Sequence, residues 1–177
     1  MHVLITGGTG FIGSHLVEYI LKNTDYKVTV LDRLDFSSTL HRLDHLSSDL
    51  LQDRFQFVYH DLKAPLINST LHNKINKYGQ PDYIYHLAAS SHVDRSIEDP
   101  MSFVMDNVVG TTNLLDYFRN YKSRWSKFFY FSTDEIFGTA PDDYNFKEND
   151  PYNSQNPYAA SKAGAEEMCL AYQNTYN

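Results

Sequence analysis

A single cysteine, Cys169, stands in a chain of 177 residues. One thiol cannot close an internal disulfide or build a multi-cysteine metal site, so no metal is expected and a reducing compartment fits. Basic residues are scarce beside acids: 15 Lys and Arg against 22 Asp and Glu give a formal charge of -7. A nucleic-acid grip needs basic surface to neutralise phosphates, so no nucleic-acid partner is expected. A phosphorylated small ligand stays open, because backbone N–H groups can bind phosphate locally. No apolar run approaches about 18 residues, so no membrane span is expected. The opening Met1-His2-Val3-Leu4-Ile5 lacks a basic n-region and a cleavage site. It reads as a strand rather than a signal peptide, and the expected address is the cytoplasm. Internal repeats, low-complexity tracts and long like-charge blocks are missing as well. What remains is 42% apolar, enough for a core, in a chain sized for one domain.

Short β-branched or aromatic runs alternate with longer amphipathic ones, the mark of βαβ units and a parallel sheet. Strands are expected at His2–Thr6, Lys27–Leu31, Phe55–Tyr59, Tyr83–Leu87 and Phe128–Ser132. Phe11–Lys22 reads as a helix whose apolar face is Ile12, Leu16, Tyr19 and Ile20. Ser37–Asp49 reads as a helix or an irregular crossover, and Leu66–Lys77 as a weak helix closed by Gly79 and Pro81. A long helix is expected from Pro100 to about Tyr121, capped by Asp99. Gly138–Asn156 is a Pro-, Asp- and Asn-rich loop of a length often tied to function, and a last helix starts near Pro157. The expected fold is α/β, a doubly wound parallel sheet of the Rossmann kind with right-handed crossovers.

Thr6-Gly7-Gly8-Thr9-Gly10-Phe11-Ile12-Gly13 joins the first strand to the first helix. It satisfies G-x-G-x-x-G through Gly8, Gly10 and Gly13, and equally G-x-x-G-x-x-G through Gly7, Gly10 and Gly13. Glycine there serves a tight turn, close approach to a pyrophosphate, and close helix–strand packing. The helix N-terminus adds unpaired N–H groups and a positive dipole end. A plain strand–helix turn would look similar, but Val28-Thr29-Val30-Leu31-Asp32 follows. Asp32 then falls where a carboxylate accepts hydrogen bonds from an adenosine ribose, which favours NAD over NADP; Arg33, able to accommodate a 2′-phosphate, is the opposing signal. Asp61, ending the third strand, could meet the amine of adenine or could be an ordinary turn residue.

Tyr158 and Lys162 lie at i and i+4, on one face if helical. An ammonium beside a phenol favours phenolate, and such a tyrosine can take a proton from a sugar hydroxyl. With 14 tyrosines, about one chance Tyr-x-x-x-Lys pair is expected; Tyr59 and Lys63, straddling a strand end, are that decoy. Ser132-Thr133-Asp134-Glu135 follows the fifth strand, where open α/β sheets bind ligands, although acids also suit a helix first turn.

Together, Thr6–Gly13, Asp32, the run His86–Ser96, Asn107, Ser132–Gly138 and Tyr158–Lys162 resemble the extended short-chain dehydrogenase/reductase family, and within it the nucleotide-sugar 4,6-dehydratases of dTDP-glucose type. The resemblance implies an NAD-dependent hydro-lyase acting on a nucleotide sugar, dTDP-glucose foremost, in a homodimer built on the helices from Pro100 and Pro157. It implies Tyr158 as base for the C4 hydroxyl, supported by Lys162, and Thr133 bonded to the C4 oxygen. Glu135 would remove the C5 proton and Asp134 protonate the departing C6 hydroxyl. Phe11 and Ile12 would lie at the pyrophosphate, Asp32, Arg33, Leu34 and Asp35 around the ribose, and Asp61 with Leu62 near adenine. Leu87, Ala88, Ala89 and Ser91 would line the cofactor, Ser91 also facing the sugar, and Asn107 would support the catalytic helix. Ser90 and Asp106 depart from the family's usual Glu and Thr, with Asp106 in the cofactor pocket, and Ile136-Phe137 replaces Val-Tyr. Epimerases and decarboxylases of the family carry a different residue for Asp134 and form the alternative reading; a non-catalytic NAD-binding fragment is another.

The resemblance also implies a chain nearly twice as long. Residues 1–177 are then expected to be the NAD-binding domain with the substrate domain absent, the fifth strand at an open edge, and dehydratase activity slight in this chain alone. His41 and His45 fit a surface helix better than a metal site, and His86 a packed residue better than a proton shuttle. Met101, Val104, Met105, Val108 and Leu115 form a helical stripe read as core or interface.

Overall fold

The computed structural model describes residues 1–67, 69–120 and 127–176, without the side chain of residue 49. Five strands, β1 His2–Thr6, β2 Lys27–Asp32, β3 Phe55–Tyr59, β4 Tyr83–His86 and β5 Lys127–Tyr130, form one sheet in the order β3-β2-β1-β4-β5. Every pairing is parallel, with Val3 opposite Val28 on one side and Tyr83 on the other. Alternation along β1 sends Val3 and Ile5 to one face and Leu4 to the other. The first face packs with Val17, Ile20 and Leu21 of the helix α1 Phe11–Asn23. The second packs with Leu114 and Tyr117. Both faces are therefore covered, as a parallel sheet requires.

The buried stripe of α1 is Gly13, Ser14, Val17, Ile20 and Leu21, not the face expected through Ile12 and Tyr19. Ile12 is 63% and Tyr19 64% exposed. The small Gly13 and Ser14 take the close approach to the sheet, and this rotates Ile12 to the mouth of a cavity and Tyr19 to solvent.

The crossover after β2 is a 3-10 turn at Leu40–Leu43 followed by a short helix, α2 Ser48–Gln52; His41 and His45 do not share one regular helix. The weak helix is α3 Ser69–Ile75, and its expected span also touches residue 68, outside the described residues. A short helix, α4 Val93–Glu98, was not anticipated. The long helix starts at Pro100 as expected, with Asp99 accepting from Ser102 N at 3.2 Å. It is not uniform: α5 Pro100–Phe103 passes through a π-helical segment, Val104–Val109, into α6 Gly110–Asn120. The expected end at Tyr121 lies outside the described residues. A 3-10 turn, Asp134–Phe137, follows β5, and α7 Pro157–Tyr176 closes the described chain.

His86 is buried, as expected, but its partners are hydroxyls: Nδ1 lies 2.6 Å from Thr6 Oγ1 and Nε2 2.8 Å from Thr111 Oγ1. Burial pushes its pKa down to about 3, so it ties β1, β4 and α6 together as a neutral ring. The apolar stripe of the long helix divides. Leu115 is buried, whereas Met101 is 66% exposed with Val104 and Met105 also exposed. Among the described residues no helix is long and apolar enough to cross a membrane.

Leu4 is wholly buried at the sheet centre. Leu4→Ala is expected to lower unfolding stability by about 3 kcal/mol, from lost burial plus the cavity left behind. Tyr19→Ala, at an exposed site, should cost less than about 0.5 kcal/mol. Chemical denaturation of the two variants checks the contrast, and equal losses would show that the helix face has been misassigned.

Candidate cofactor and active site

A cavity of about 440 Å³ opens beyond the carboxyl ends of the strands, a size within the range of small-molecule and cofactor sites. Its floor is the glycine turn. Gly7 has φ +69, and a Cβ there would lie 2.7 Å from Ala88 N. A Cβ on Gly13 would lie 2.1 Å from Gly7 O, and Gly7, Gly10 and Gly13 all line the cavity. Gly8 instead packs on the Val30 side chain. The G-x-x-G-x-x-G reading is therefore the structural one. Gly10 caps α1 with no side-chain bond, and the first turn holds no acid. Phe11 and Ile12 flank this bare N-terminus at the cavity wall. A pyrophosphate fits here on physical grounds: no Cβ blocks it, and the helix end offers N–H groups to an anion.

Asp32 closes β2 with both carboxylate oxygens engaged. Oδ2 accepts from Thr9 N at 3.1 Å and Thr9 Oγ1 at 2.6 Å; Oδ1 accepts from Leu34 N at 3.0 Å and Ser38 Oγ at 3.2 Å. Leu34, at φ +55, contributes its N–H to Asp32 and is not part of the cavity wall. Arg33 and Asp35 are part of it, with Asp61, Leu62 and Asp106. The Arg33 guanidinium forks onto Asp106 at 2.7 and 2.8 Å and onto Asp35 at 3.1 and 3.0 Å. Against burial, which raises both, Arg33 and then Ser90 hold the Asp106 carboxyl below its ordinary range, and the two bonds from Ser37, followed by Arg33, do the same for Asp35. Ser90 Oγ donates to Asp106 at 2.5 Å.

Leu87, Ala88, Ala89 and Ser91 form the middle of the wall, and Tyr158 and Lys162 of α7 its far end. Tyr158 meets the Phe103 ring edge-on at 6.2 Å. Lys162 is 4% exposed, donates to the Phe131 carbonyl, and stands 4.2 Å from the Tyr130 ring centroid. Burial pushes its ammonium down to about 8, against the pull of Glu166. Asn107 Nδ2 donates to Ser161 Oγ at 2.9 Å and to Ser90 O at 3.0 Å, and Oδ1 accepts from Ser90 N at 2.7 Å.

The Thr-Asp-Glu set is not brought into the cavity wall, which reaches Phe131 and Ser132 and stops there. Thr133 Oγ1 accepts from Glu135 N at 3.3 Å, capping the 3-10 turn. Asp134 is exposed, and Glu135 Oε2 accepts from Asn156 Nδ2 at 3.0 Å. Sequence reasoning missed Glu166, which accepts from Ser132 Oγ and, at 2.9 Å, from Tyr152 OH. Its position, one turn beyond Lys162 on the same helical face, was the available signal. It also missed Lys63 and Ser38 on the acidic wall.

The chain is 37% identical to the dTDP-glucose 4,6-dehydratase of Shigella flexneri over 192 residues, covering 99% of this chain and 51% of that protein. Among solved structures it is similar to DesIV, a dTDP-glucose 4,6-dehydratase from Streptomyces venezuelae with NAD and TDP bound. There the TM-score is 0.86 at 35% identity, covering 99% of this chain and 52% of that one. A UDP-glucuronic acid 4-epimerase from Bacillus cereus, in complex with UDP-glucuronic acid and NAD, gives a TM-score of 0.82 at 29% identity over 99% of this chain and 53% of that one. The chain thus spans about half the length of the curated relatives it matches. Residues 4–177 match the family described as GDP-mannose 4,6 dehydratase, and the chain belongs to that family, a branch of the extended short-chain dehydrogenases/reductases.

Proposed function

We propose that residues 1–177 are the NAD-binding and catalytic part of a nucleotide-sugar 4,6-dehydratase of dTDP-glucose type, with the sugar nucleotide held in large part by the half of the relatives' length that this chain does not span. The observation that carries the reading is that one cavity runs from the glycine turn and Asp32 to Tyr158 and Lys162. A dinucleotide laid along it would have its pyrophosphate on Gly10–Gly13, its ribose at Asp32, its adenine by Asp61 and Leu62, and its reactive end at Tyr158. The bond from Ser38 to Asp32, the longest of four, is the one a ribose hydroxyl would replace.

Bound there, NAD would supply the hydride acceptor for sugar C4 and the donor that returns hydride to C6. Tyr158 takes the proton of the C4 hydroxyl, with Lys162 one helical turn further along α7 in the same cavity wall. Thr133 bonds the C4 oxygen, and Ser91 faces the sugar. Once C4 is a ketone the C5 proton is acidic; Glu135 removes it while Asp134 protonates the departing C6 hydroxyl. One carboxyl must act ionised and the other protonated, which explains why two are needed. An epimerase of the same family is the second reading, supported by the likeness to the 4-epimerase. A single free cysteine supports a cytoplasmic setting.

In a chain extended to the relatives' full length, dTDP-glucose should yield a 4-keto-6-deoxy product; a C4 epimer would replace this reading with the second. Tyr158→Phe should block C4 oxidation, cutting turnover by at least about 10²-fold. Glu135→Gln should spare oxidation and impair water loss, which single-turnover absorbance at the NADH band separates. Normal dehydration by Glu135→Gln would remove it from the mechanism.

The same site predicts a pH signature. The folded chain releases the Lys162 proton near 8, whereas the unfolded chain keeps it to about 10.4. Between these values the unfolded chain binds more protons, so this group adds stability as pH rises. Subtracting the melting temperature of Lys162→Met from that of the wild type should give a difference that climbs across this window and then levels. A flat difference would mean that Lys162 titrates like a solvated lysine.

A homodimer through the long helix and α7 is supported by the exposed Met101, Val104 and Met105 of the long helix. Sedimentation at micromolar concentration should show a dimer that Met101→Glu disrupts; a wild-type monomer would refute the arrangement.

A further inference from the structure

We propose that Asp106 sets the cofactor preference of this site by holding Arg33, an arginine of the cavity wall, away from the 2′ position of the bound ribose. The inference rests on the dinucleotide reading above and adds the residue that enforces the choice of dinucleotide. Arg33 directly follows Asp32 at the end of β2 and is the cation best placed to receive a 2′-phosphate. A guanidinium recognises phosphate by presenting paired N–H donors. Here those pairs are taken. Nη1 and Nη2 donate to the two oxygens of Asp106 at 2.7 and 2.8 Å. Nε and Nη2 donate to Asp35 Oδ2 at 3.1 and 3.0 Å, and Nη1 lies 3.6 Å from Asp61 Oδ2.

Asp106 is itself held. Its side chain is only 8% exposed, Ser90 Oγ donates to it at 2.5 Å, and Lys63 Nζ stands 3.6 Å away. Its backbone lies in the π-helical segment Val104–Val109, in a long helix far from β2 in sequence, so the ion pair fixes Arg33 from across the cavity. The consequence is electrostatic. Among the described residues, Asp32, Asp35, Asp61 and Asp106 face Arg33 and Lys63 at this end of the wall, leaving an excess of negative charge where a 2′-phosphate would arrive. A 2′-hydroxyl meets no such opposition. The preference for a free 2′-hydroxyl is thus enforced here by Asp106 as well as by Asp32.

Calorimetric titration of NAD and NADP against the 177-residue chain tests this. The ratio of the two dissociation constants should strongly favour NAD in the wild type. In Asp106→Asn, which keeps the side chain's shape and removes its charge, that ratio should shift toward NADP by roughly tenfold, about 1.4 kcal/mol. Adding Arg33→Met to Asp106→Asn should abolish the shift, an outcome that a general loosening of the pocket would not produce. Asp35→Asn, which removes the other grip from a different segment, should shift the ratio in the same direction and serves if circular dichroism shows that Asp106→Asn does not fold. An unchanged ratio in the folded single variants, or a shift that survives loss of Arg33, overturns the role of Asp106 while leaving the dinucleotide reading standing. A wild-type chain that binds neither cofactor overturns both.

Discussion

The two hydrogen bonds from Thr9 to Asp32 Oδ2 are the constraint on which the site depends. A glycine turn has little conformational preference of its own, and ordering it is costly in entropy. Thr9, inside the turn, gives it an anchor, and Asp32 accepts that anchor while nearly buried. A buried carboxylate is tolerable only when its oxygens are satisfied, and here four donors do so. Thr9 O is held on its other side by Arg42 and by the backbone of Thr39. The anion cradle and the ribose acceptor therefore cannot move independently, which is what a ligand spanning both requires.

A second chain of contacts runs from the acidic end of the cavity to the catalytic helix. Arg33 meets Asp106, Asp106 and Asn107 both hold Ser90, and Asn107 holds Ser161 between Tyr158 and Lys162. Neighbours on an α-helix point about 100° apart, so two adjacent side chains rarely serve one loop. The π-helical segment containing Asp106 and Asn107 alters that spacing, and π segments are common where function needs such an adjustment. Both ends of the site are thereby referred to a single backbone segment.

The fold was legible because its signals are local. Strand periodicity, the glycine spacing, the Asp99-Pro100 helix start and the Pro157 helix all appear in the structure near the expected places. The misses share a cause: they depend on what lies opposite. The face of α1 was misread because apolar spacing alone cannot show that Gly13 and Ser14 pack closest while Ile12 looks into a cavity. The π-helical segment leaves no mark in composition, and α4 hides in a run, His92–Ser96, that looked like motif rather than helix. At the site, the glycine turn, Asp32, Tyr158 and Lys162 could be named in advance. The partners of Arg33 could not, because Asp106 is distant in sequence and becomes its partner only after the sheet is wound.

The topology explains why so many separate segments converge. In the order β3-β2-β1-β4-β5 the chain leaves β1 to build one side of the sheet and returns to β4 to build the other. The connections after β1 and after β4 must therefore diverge, opening a crevice at the carboxyl edge that no crossover fills. Because all pairings are parallel, every strand delivers its following loop to that same edge. Gly7 follows β1, Arg33 β2, Asp61 β3, Leu87 β4 and Phe131 β5, and each lines the cavity. The carbonyl of Phe131 in turn receives the Lys162 ammonium, a buried cation that burial alone would disfavour. A strand end thus supplies the dipole that makes the lysine tolerable, and the lysine fixes α7 against the sheet. The position of Tyr158, one turn earlier on that helix, follows from where β5 stops.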